Sequence, residues 1–317
     1  MSQPLVSIIV PSFNQAQFLK QTLESIFVQD YPNLEVWVMD GGSTDGSVEI
    51  IRAYADRLTG WVSEPDRGQA DGINKGFRKA HGEIVAWLNS DDVYQPGTVS
   101  KAVAALSDQP QAVMVYGDVI SMDGDGKVIN LMRYGDWGLP DLMRFEIIGQ
   151  PAVFMRQSAL EQAGLLDLDY HYLLDHHLWL RVAQQGAMLH VPEFWASARF
   201  HAGAKNRAHA AEFGEEAYRI VDWMLTDPGL SDLALRDFKR ILSGAHRINA
   251  RYLLDGGLPR QAFAAYLQSV RMFPRDGLRE WRRMAFAAVS SVVNIDAIKG
   301  MYLQKKRQRA EREHPNG

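Results

Sequence analysis

Apolar positions fall into two alternating rhythms over the first two hundred residues. Short runs rich in β-branched and aromatic residues, at 5–10, 34–39, 61–62 and 84–88, have the length and composition of strands buried on both faces. Between them, Phe18, Leu19, Leu23, Ile26 and Phe27 recur at helical spacing, as do Ile50, Ile51, Tyr54 and Leu58, and a third helix is expected over 69–79. Asn14 is placed to cap the first helix, and Tyr31-Pro32-Asn33 to make a turn. Strand and helix alternating across short loops imply a mainly parallel sheet with right-handed crossovers, an α/β fold.

Further along, Pro96-Gly97-Thr98 opens a helix, and 112–116 reads as a strand. Residues 119–122 and 127–131 read as a hairpin around Asp123-Gly124-Asp125-Gly126. That acidic turn lacks the spacing and the terminal Glu of a calcium loop and is taken as a hairpin tip. A strand at 152–155, a helix through Leu174, Leu178 and Val182, and a strand at 191–200 complete this part. Past residue 206 the strand pattern stops. Helices are expected at 210–225, 233–254, 259–273 and 278–309, separated by Asp-, Pro- and Gly-rich breaks. The chain divides accordingly into a catalytic domain, 1–205, with a nucleotide-binding half at 1–95 and an acceptor half at 96–205, and an all-helical C-terminal extension at 206–317.

Composition narrows the class. A hydrophobic content of 46% with 23% charged residues is that of a globular chain, and a net charge of −4 gives no reason to expect nucleic acid. The absence of cysteine excludes thiolate metal sites and cysteine nucleophiles and fits a reducing compartment. There is no signal-peptide layout at the start and no apolar run of spanning length, so a cytoplasmic location is expected.

The chemistry collects at strand ends. Pro11-Ser12-Phe13-Asn14, Asp40-Gly41-Gly42 and Ser90-Asp91-Asp92 each follow an apolar run, and in a parallel sheet such ends share one edge, where ligands bind. Adjacent carboxylates repel unless protons or a cation compensate, so Asp91-Asp92 points to a divalent ion; a solvated turn with an Asp cap before Pro96 is the plain alternative. Asp40 could hold a ribose or base edge, or merely cap the next helix. Neither G-x-G-x-x-G nor a P-loop occurs where a nucleotide fold would need it, which argues against a dehydrogenase or P-loop kinase. His171, His176 and His177 lack the spacing of a zinc site.

The ordered set VSIIVPSFN (6–14), VMDGGSTDG (38–46), DRGQADGINKG (66–76), GEIVAWLNSDD (82–92) and Tyr116-Gly117-Asp118 resembles the family 2 glycosyltransferases of the GT-A fold. The resemblance implies an inverting enzyme that takes a sugar from a nucleotide-sugar, usually with Mn or Mg. It implies nucleobase contacts from Pro11, Phe13 and Asp40, and nucleotide contacts from Arg67 and Asp71. Ser90-Asp91-Asp92 stands at the family's D-x-D element, with Asp91 on the ribose or sugar side and Asp92 on the metal; Ser90 departs from the first Asp of that pattern. Gln150 would border the donor sugar, and His201 would complete the metal shell.

Asp175 lies in a helix's first turn, where the dipole favours a carboxylate and a cap is a sufficient explanation. The resemblance instead makes it the general base, with Leu174 in place of the family's preceding Glu. The implied partners are a nucleotide-sugar donor and a glycan or lipid-linked glycan acceptor, in surface polysaccharide biosynthesis. The amphipathic segment 278–309, with Arg279, Arg282, Arg283 and Lys305-Lys306-Arg307, can either lie on an anionic membrane or pack on protein. A non-catalytic nucleotide-sugar-binding subunit and a sugar-phosphate nucleotidyltransferase are the competing functions. The latter expects a glycine-rich, basic N-terminal loop, which Pro11-Ser12-Phe13-Asn14 is not.

Overall fold

The computed structural model describes residues 3–200, 209–292 and 313. The first compact unit falls within Met1–Gly138 and Ile148–Phe200, with which Glu313 is grouped; the second falls within Leu139–Ile147 and His201–Arg312.

In the first unit the strands are β1 (Val6–Ser12), β2 (Leu34–Asp40), β3 (Gly60–Ser63), β4 (Ile84–Trp87), β5 (Val93–Tyr94), β6 (Ala112–Asp123), β7 (Val128–Met132), β8 (Val153–Arg156) and β9 (Ala187–Phe200). They form one sheet in the order β3-β2-β1-β4-β8-β6-β9-β5, with β7 on β6. β1, β2, β3 and β4 are mutually parallel, as are β6 and β9, whereas β8 runs antiparallel to both of its neighbours. The fold is therefore α/β with a mainly parallel sheet. Its helices are α1 (Ala16–Phe27), α2 (Ser47–Ala53), α3 (Gln69–Phe77), α4 (Thr98–Asp108), α6 (Gln157–Ala163) and α7 (Leu174–Val182); α5 (Leu139–Met143) belongs to the second unit.

Burial explains these assignments. All seven residues of β1 are buried, as its central place in the parallel half requires. Helix α3 closes on β1 because Gly76 lacks a side chain, and a Cβ there would collide with Ile9. Trp179 of α7 stacks on Trp87 of β4 with ring centroids 5.0 Å apart. That contact brings the first turn of α7 toward the end of β4.

Two local expectations change. Residues 112–123 are one continuous strand, although Gly117-Asp118 reads as a break. Gly117 serves close packing, since a Cβ there would clash with the Trp195 indole, and β9 bulges opposite it. Asn14 does not cap α1. It takes a left-handed backbone (φ 53°), and its Oδ1 accepts the Thr44 N–H at 2.9 Å. The start of α1 is served instead by the neighbouring loop, where Asp45 accepts the Ala16 N–H at 2.9 Å and the Ser47 hydroxyl accepts the Gln15 N–H at 3.1 Å.

The second unit contains α8 (Ala210–Thr226), α9 (Ser231–Arg236), α10 (Phe238–Asp255), α11 (Pro259–Met272) and α12 (Trp281–Ser290). The helix expected over 233–254 is broken at Asp237, which leaves helical geometry (φ −109°, ψ 17°) and pairs its carboxylate with Arg144. Arg247 pairs with Glu146 at 3.0 Å, so the 139–147 segment is held by α10. Of the segment expected to be helical over 278–309, residues 281–290 are α12, and those past 292 lie outside the described residues. Arg279 and Arg283 in this region are ion-paired, to Glu146 and to Asp255.

The far end of the sheet is fastened by Glu35, only 6% exposed, whose Oε1 accepts the Ser7 hydroxyl and the N–H groups of His81 and Gly82. Burial pushes this carboxyl's pKa up, but the hydrogen bonds from His81 and Ser7 outweigh it and hold it below the usual value. A lowered carboxyl pKa stabilises the fold above the unfolded value of about 4.3, and that contribution is lost as pH falls through the folded value. Glu35→Gln is therefore expected to cost about 1–3 kcal/mol at pH 7. In urea titrations the gap to the wild type should close as the pH drops below about 4; a gap that persists at low pH would contradict the carboxylate's role.

Candidate active site

The ends of β1, β2 and β4 lie on one edge of the sheet, as expected, and their loops are tied to one another. The carboxylate of Asp40, 3% exposed, accepts the N–H of Gly42 at 3.1 Å and of Ser43 at 2.9 Å, and the hydroxyls of Ser43 at 2.5 Å and Ser63 at 2.7 Å. Three of those donors converge on Oδ2 and one on Oδ1. Asp40 is thus the internal clasp of the 40–43 loop. Ser43 in turn accepts the Asn14 N–H at 2.8 Å, and the Gly41 N–H donates to the Ser12 carbonyl at 2.8 Å, joining this loop to the end of β1. Pro11 is buried in β1, whereas Phe13, just past it, is 60% exposed. A large aromatic held out at the edge of a tied loop is a stacking surface.

Beyond β4, Ser90 and Asp92 are buried and Asp91 is partly exposed. Asp92 is 5% exposed; its Oδ1 accepts the backbone N–H of Arg199 at 2.9 Å and its Oδ2 faces the Asn89 amide at 3.5 Å. Burial first, and the neighbouring charge of Asp91 second, push the Asp92 carboxyl well above its usual pKa, against the opposing bonds from Arg199 and Asn89. A divalent ion would supply the missing compensation. Hard oxygen donors suit Mg or Mn, which keep waters and phosphate oxygens in their shell. Among the described residues there is no cluster of three or more His, Asp or Glu side chains able to hold a metal, so this chain's described part would contribute few ligands. His201 lies outside the described residues.

Gln150 apart, the residues that hold this turn are ones the sequence assigned no role. The Arg199 side chain, from β9, donates Nε to the Asp91 carbonyl at 2.9 Å, one Nη to the Gly124 carbonyl at 3.0 Å and the other to Gln21 Oε1 at 2.6 Å, with its guanidinium 4.6 Å from the Phe18 ring centre. Thr22 of α1 donates its hydroxyl to the Asp92 carbonyl at 2.7 Å. An amide relay runs from Gln69 to Asn89 (2.8 Å), from Asn89 to Gln150 (3.0 Å) and from Gln150 to the Trp87 carbonyl (2.7 Å). Gln150 is therefore at the end of β4, with both ends of its amide engaged there.

Asp175 sits in the first turn of α7, partly exposed, and its Oδ1 accepts the His176 N–H at 2.7 Å. The N-cap position is Leu173, and the Asp175 carboxylate in the first turn meets one of the N–H groups that a helix start leaves unpaired. His176 and His177 are buried, His177 against the Tyr170 ring at 4.1 Å. Arg67 and Asp71 meet at 3.6 Å at the start of α3, the arginine exposed and the aspartate nearly buried.

The glycosyl transferase family 2 model matches residues 7–156. A PGL/p-HBAD biosynthesis glycosyltransferase of Mycobacterium tuberculosis is 30% identical over 193 residues, spanning 60% of this chain and 73% of the relative. In structure the chain is similar to S. aureus TarS 1-349 in complex with UDP-GlcNAc, with a TM-score of 0.57 at 16% identity over 88% of this chain and 92% of that one; it spans 53% of the longer TarS chain. It is also similar to the mannosyltransferase PcManGT from Pyrobaculum calidifontis in complex with GDP-Man and Mn2+, with a TM-score of 0.57 at 24% identity over 93% and 89%. At these identities the structural likeness speaks to the fold, a GT-A sandwich followed by helices.

The buried Asp92 charge has a consequence for the ion-free protein. A carboxyl pKa raised by folding makes the native state the better proton binder, so its cost appears as pH rises from the unfolded value toward the folded one. Asp92→Asn removes that charge, and thermal unfolding of the ion-free protein at pH 7 should shift upward, on the order of 2–4 °C per kcal/mol relieved. An unchanged or lowered midpoint would mean that Asp92 is already compensated within the protein.

Proposed function

The chain belongs to glycosyl transferase family 2 and is a glycosyltransferase; from that premise we propose that it moves one sugar from a nucleoside-diphosphate sugar, UDP-linked by preference, to a hydroxyl of a glycan or lipid-linked glycan acceptor. The transfer inverts the anomeric centre and needs a divalent cation, Mn or Mg. The observation that carries this reading is the under-compensated Asp92 at the end of β4, set beside Asp91 on the edge where Phe13 is exposed. The named complexes of the structural neighbours, with UDP-GlcNAc and with GDP-Man and Mn2+, support a nucleotide-sugar donor and a metal.

The roles follow from chemistry. Asp92, with His201, would hold the cation, which when bound offsets the negative charge on the diphosphate. Asp91 and Ser90 serve the ribose or sugar side. Pro11 and Phe13 flank the base, with Asp40 shaping the loop beneath it. Arg67 and Asp71 border the nucleotide, and Gln150 keeps Asn89 in register with Asp92. Asp175 takes the proton of the acceptor hydroxyl as that oxygen attacks from the face opposite the diphosphate. A positioned base of this kind contributes about 10² to 10⁴ in rate. A role in surface polysaccharide biosynthesis is part of this proposal; the mycobacterial relative is named for PGL/p-HBAD biosynthesis.

Among the described residues no helix is long and apolar enough to cross a membrane. We place peripheral membrane contact in the 278–309 segment, where Trp281 is 58% exposed beside Arg282. Co-sedimentation with vesicles containing anionic lipid should fall on Trp281→Glu; binding that is absent in the wild type would remove this contact from the reading.

The donor reading is tested by two substitutions. Asp92→Ala and Asp175→Asn should each reduce transfer by at least about 10²-fold, but only Asp92→Ala should weaken Mn-dependent nucleotide binding in calorimetry. The released product should be a nucleoside diphosphate; pyrophosphate would identify a nucleotidyltransferase. Full transfer by Asp175→Asn would end its assignment as the base.

A further inference from the structure

Helix α3 begins at the nucleotide edge with Arg67 and Asp71 close by, but its second turn is bonded to a different part of the chain. Asn74, 2% exposed, donates from Nδ2 to the Leu166 carbonyl at 2.8 Å, and its Oδ1 accepts the Leu166 N–H at 2.9 Å. One side-chain amide thus pairs with both backbone groups of a residue 92 positions away, as an adjacent strand would. A carboxamide is the side chain that offers a donor and an acceptor side by side for this. Leu166 is buried as well, so the pair is made out of reach of water.

Leu166 stands near the start of the loop between α6 and α7, and that loop delivers the chain to Asp175. Past Leu166 the loop is folded on itself: Asp167 Oδ1 accepts the Asp169 N–H at 3.0 Å, and the Asp167 carbonyl accepts the Tyr170 N–H at 3.3 Å. Tyr170 stacks on His177, and the Leu173 carbonyl accepts the His177 N–H at 2.9 Å, so the loop runs into the first turn of α7 without slack. A shift at Leu166 is therefore passed on to Asp175. Helix α3, by contrast, is seated without Asn74. Gly76 packs on Ile9 of β1, and Lys75 pairs with Glu64 at 2.9 Å. Loss of the Asn74 amide would free the loop and leave the helix start in place.

We infer that Asn74 is a positioning residue for the transfer step: it fixes the α6–α7 loop and, through the loop, the reach of the Asp175 carboxylate toward the acceptor hydroxyl. The assignment rests on Asp175 being the base, as proposed above, and adds that the base is held from the helix on the nucleotide side. A base acts only within hydrogen-bond reach of the proton it takes, and a misplacement of about 1 Å can cost about 10²-fold in rate. Buried and bonded to backbone, Asn74 touches no substrate and works through Asp175.

A double-mutant cycle on the full chain tests it. The rate is read as nucleoside diphosphate released from UDP-GlcNAc or GDP-Man with Mn2+, with water or p-nitrophenyl glycosides as acceptor. Asn74→Ala should lower it about 10- to 100-fold, while calorimetric UDP or GDP affinity stays within about two-fold. In the Asp175→Asn background the same substitution should cost less than about two-fold, because the group it positions is already gone. Equal cost in both backgrounds overturns the assignment, as does a loss of nucleotide affinity that matches the loss of rate. Hydrogen exchange, which needs no substrate, should speed up over residues 166–175 and not over 69–77; an unchanged 166–175 segment also overturns it. Should Asn74→Ala fail to fold, Asn74→Asp keeps the shape. Its protonated carboxyl can make both bonds to Leu166 and its carboxylate cannot donate, so its rate relative to wild type should fall as pH rises. A ratio that is flat with pH would again overturn the assignment. An undiminished rate in Asp175→Asn alone would instead remove the base, and the role of Asn74 with it.

Discussion

The site depends on one electrostatic constraint: a carboxylate has been put at the end of a buried strand, next to another carboxylate, with less compensation inside the protein than its charge requires. Asp92 has the Arg199 backbone N–H at 2.9 Å and a distant Asn89 amide, and that is insufficient to keep its carboxyl at an ordinary pKa. The surroundings resist the obvious relaxations. Thr22 holds the Asp92 carbonyl, Arg199 holds the Asp91 carbonyl, and the Gln69–Asn89–Gln150 relay fixes the residue that begins the turn. Those bonds hold the backbone of the turn, and with it the Asp92 carboxylate, in place.

On the nucleotide side the polar groups work differently. There the loops after β1 and β2 are satisfied almost entirely by each other: Asp40, Ser43, Asp45, Ser47 and Asn14 exchange hydrogen bonds within two adjacent loops. Such mutual satisfaction makes a rigid rim without help from a ligand. What it leaves over is the exposed Phe13 ring and the buried Ser12 hydroxyl, which has no hydrogen-bond partner among the described residues. The division is between residues that build the rim and residues that face across it, and residue type alone does not separate them.

That distinction also marks what could be read in advance. The alternation of β-branched runs with 3.6-period segments was enough for β1 to β4, α1 to α4 and the shared edge, because in a parallel sheet burial and periodicity agree. Asp91 and Asp92 stood out because they end an apolar run, whereas Phe13 was marked only by the family resemblance. Misreadings came where a local signal served a distant partner. Gly117 looked like a break but makes room for Trp195, Asn14 looked like a cap but bonds Thr44, and Asp237 interrupts a helix to meet Arg144. Arg199 could not be found by spacing, since its contacts lie in three segments between 75 and 178 positions away. No one-dimensional pattern encodes such a meeting.

The turn between β6 and β7 shows how far that reach extends. Asp123-Gly124-Asp125-Gly126 has the composition of a disposable surface turn, of the kind that ordinarily absorbs insertions without harm. Here the carbonyls of Asp123 and Gly124 are seats for the Arg199 guanidinium, which in turn steadies the Asp91–Asp92 backbone. The hairpin's length is therefore tied to its contacts with Arg199 and not to hairpin geometry alone. Among divergent descendants of this chain, a tip that looks free to drift in sequence would be held to constant length for as long as the arginine is kept, and released once it is lost.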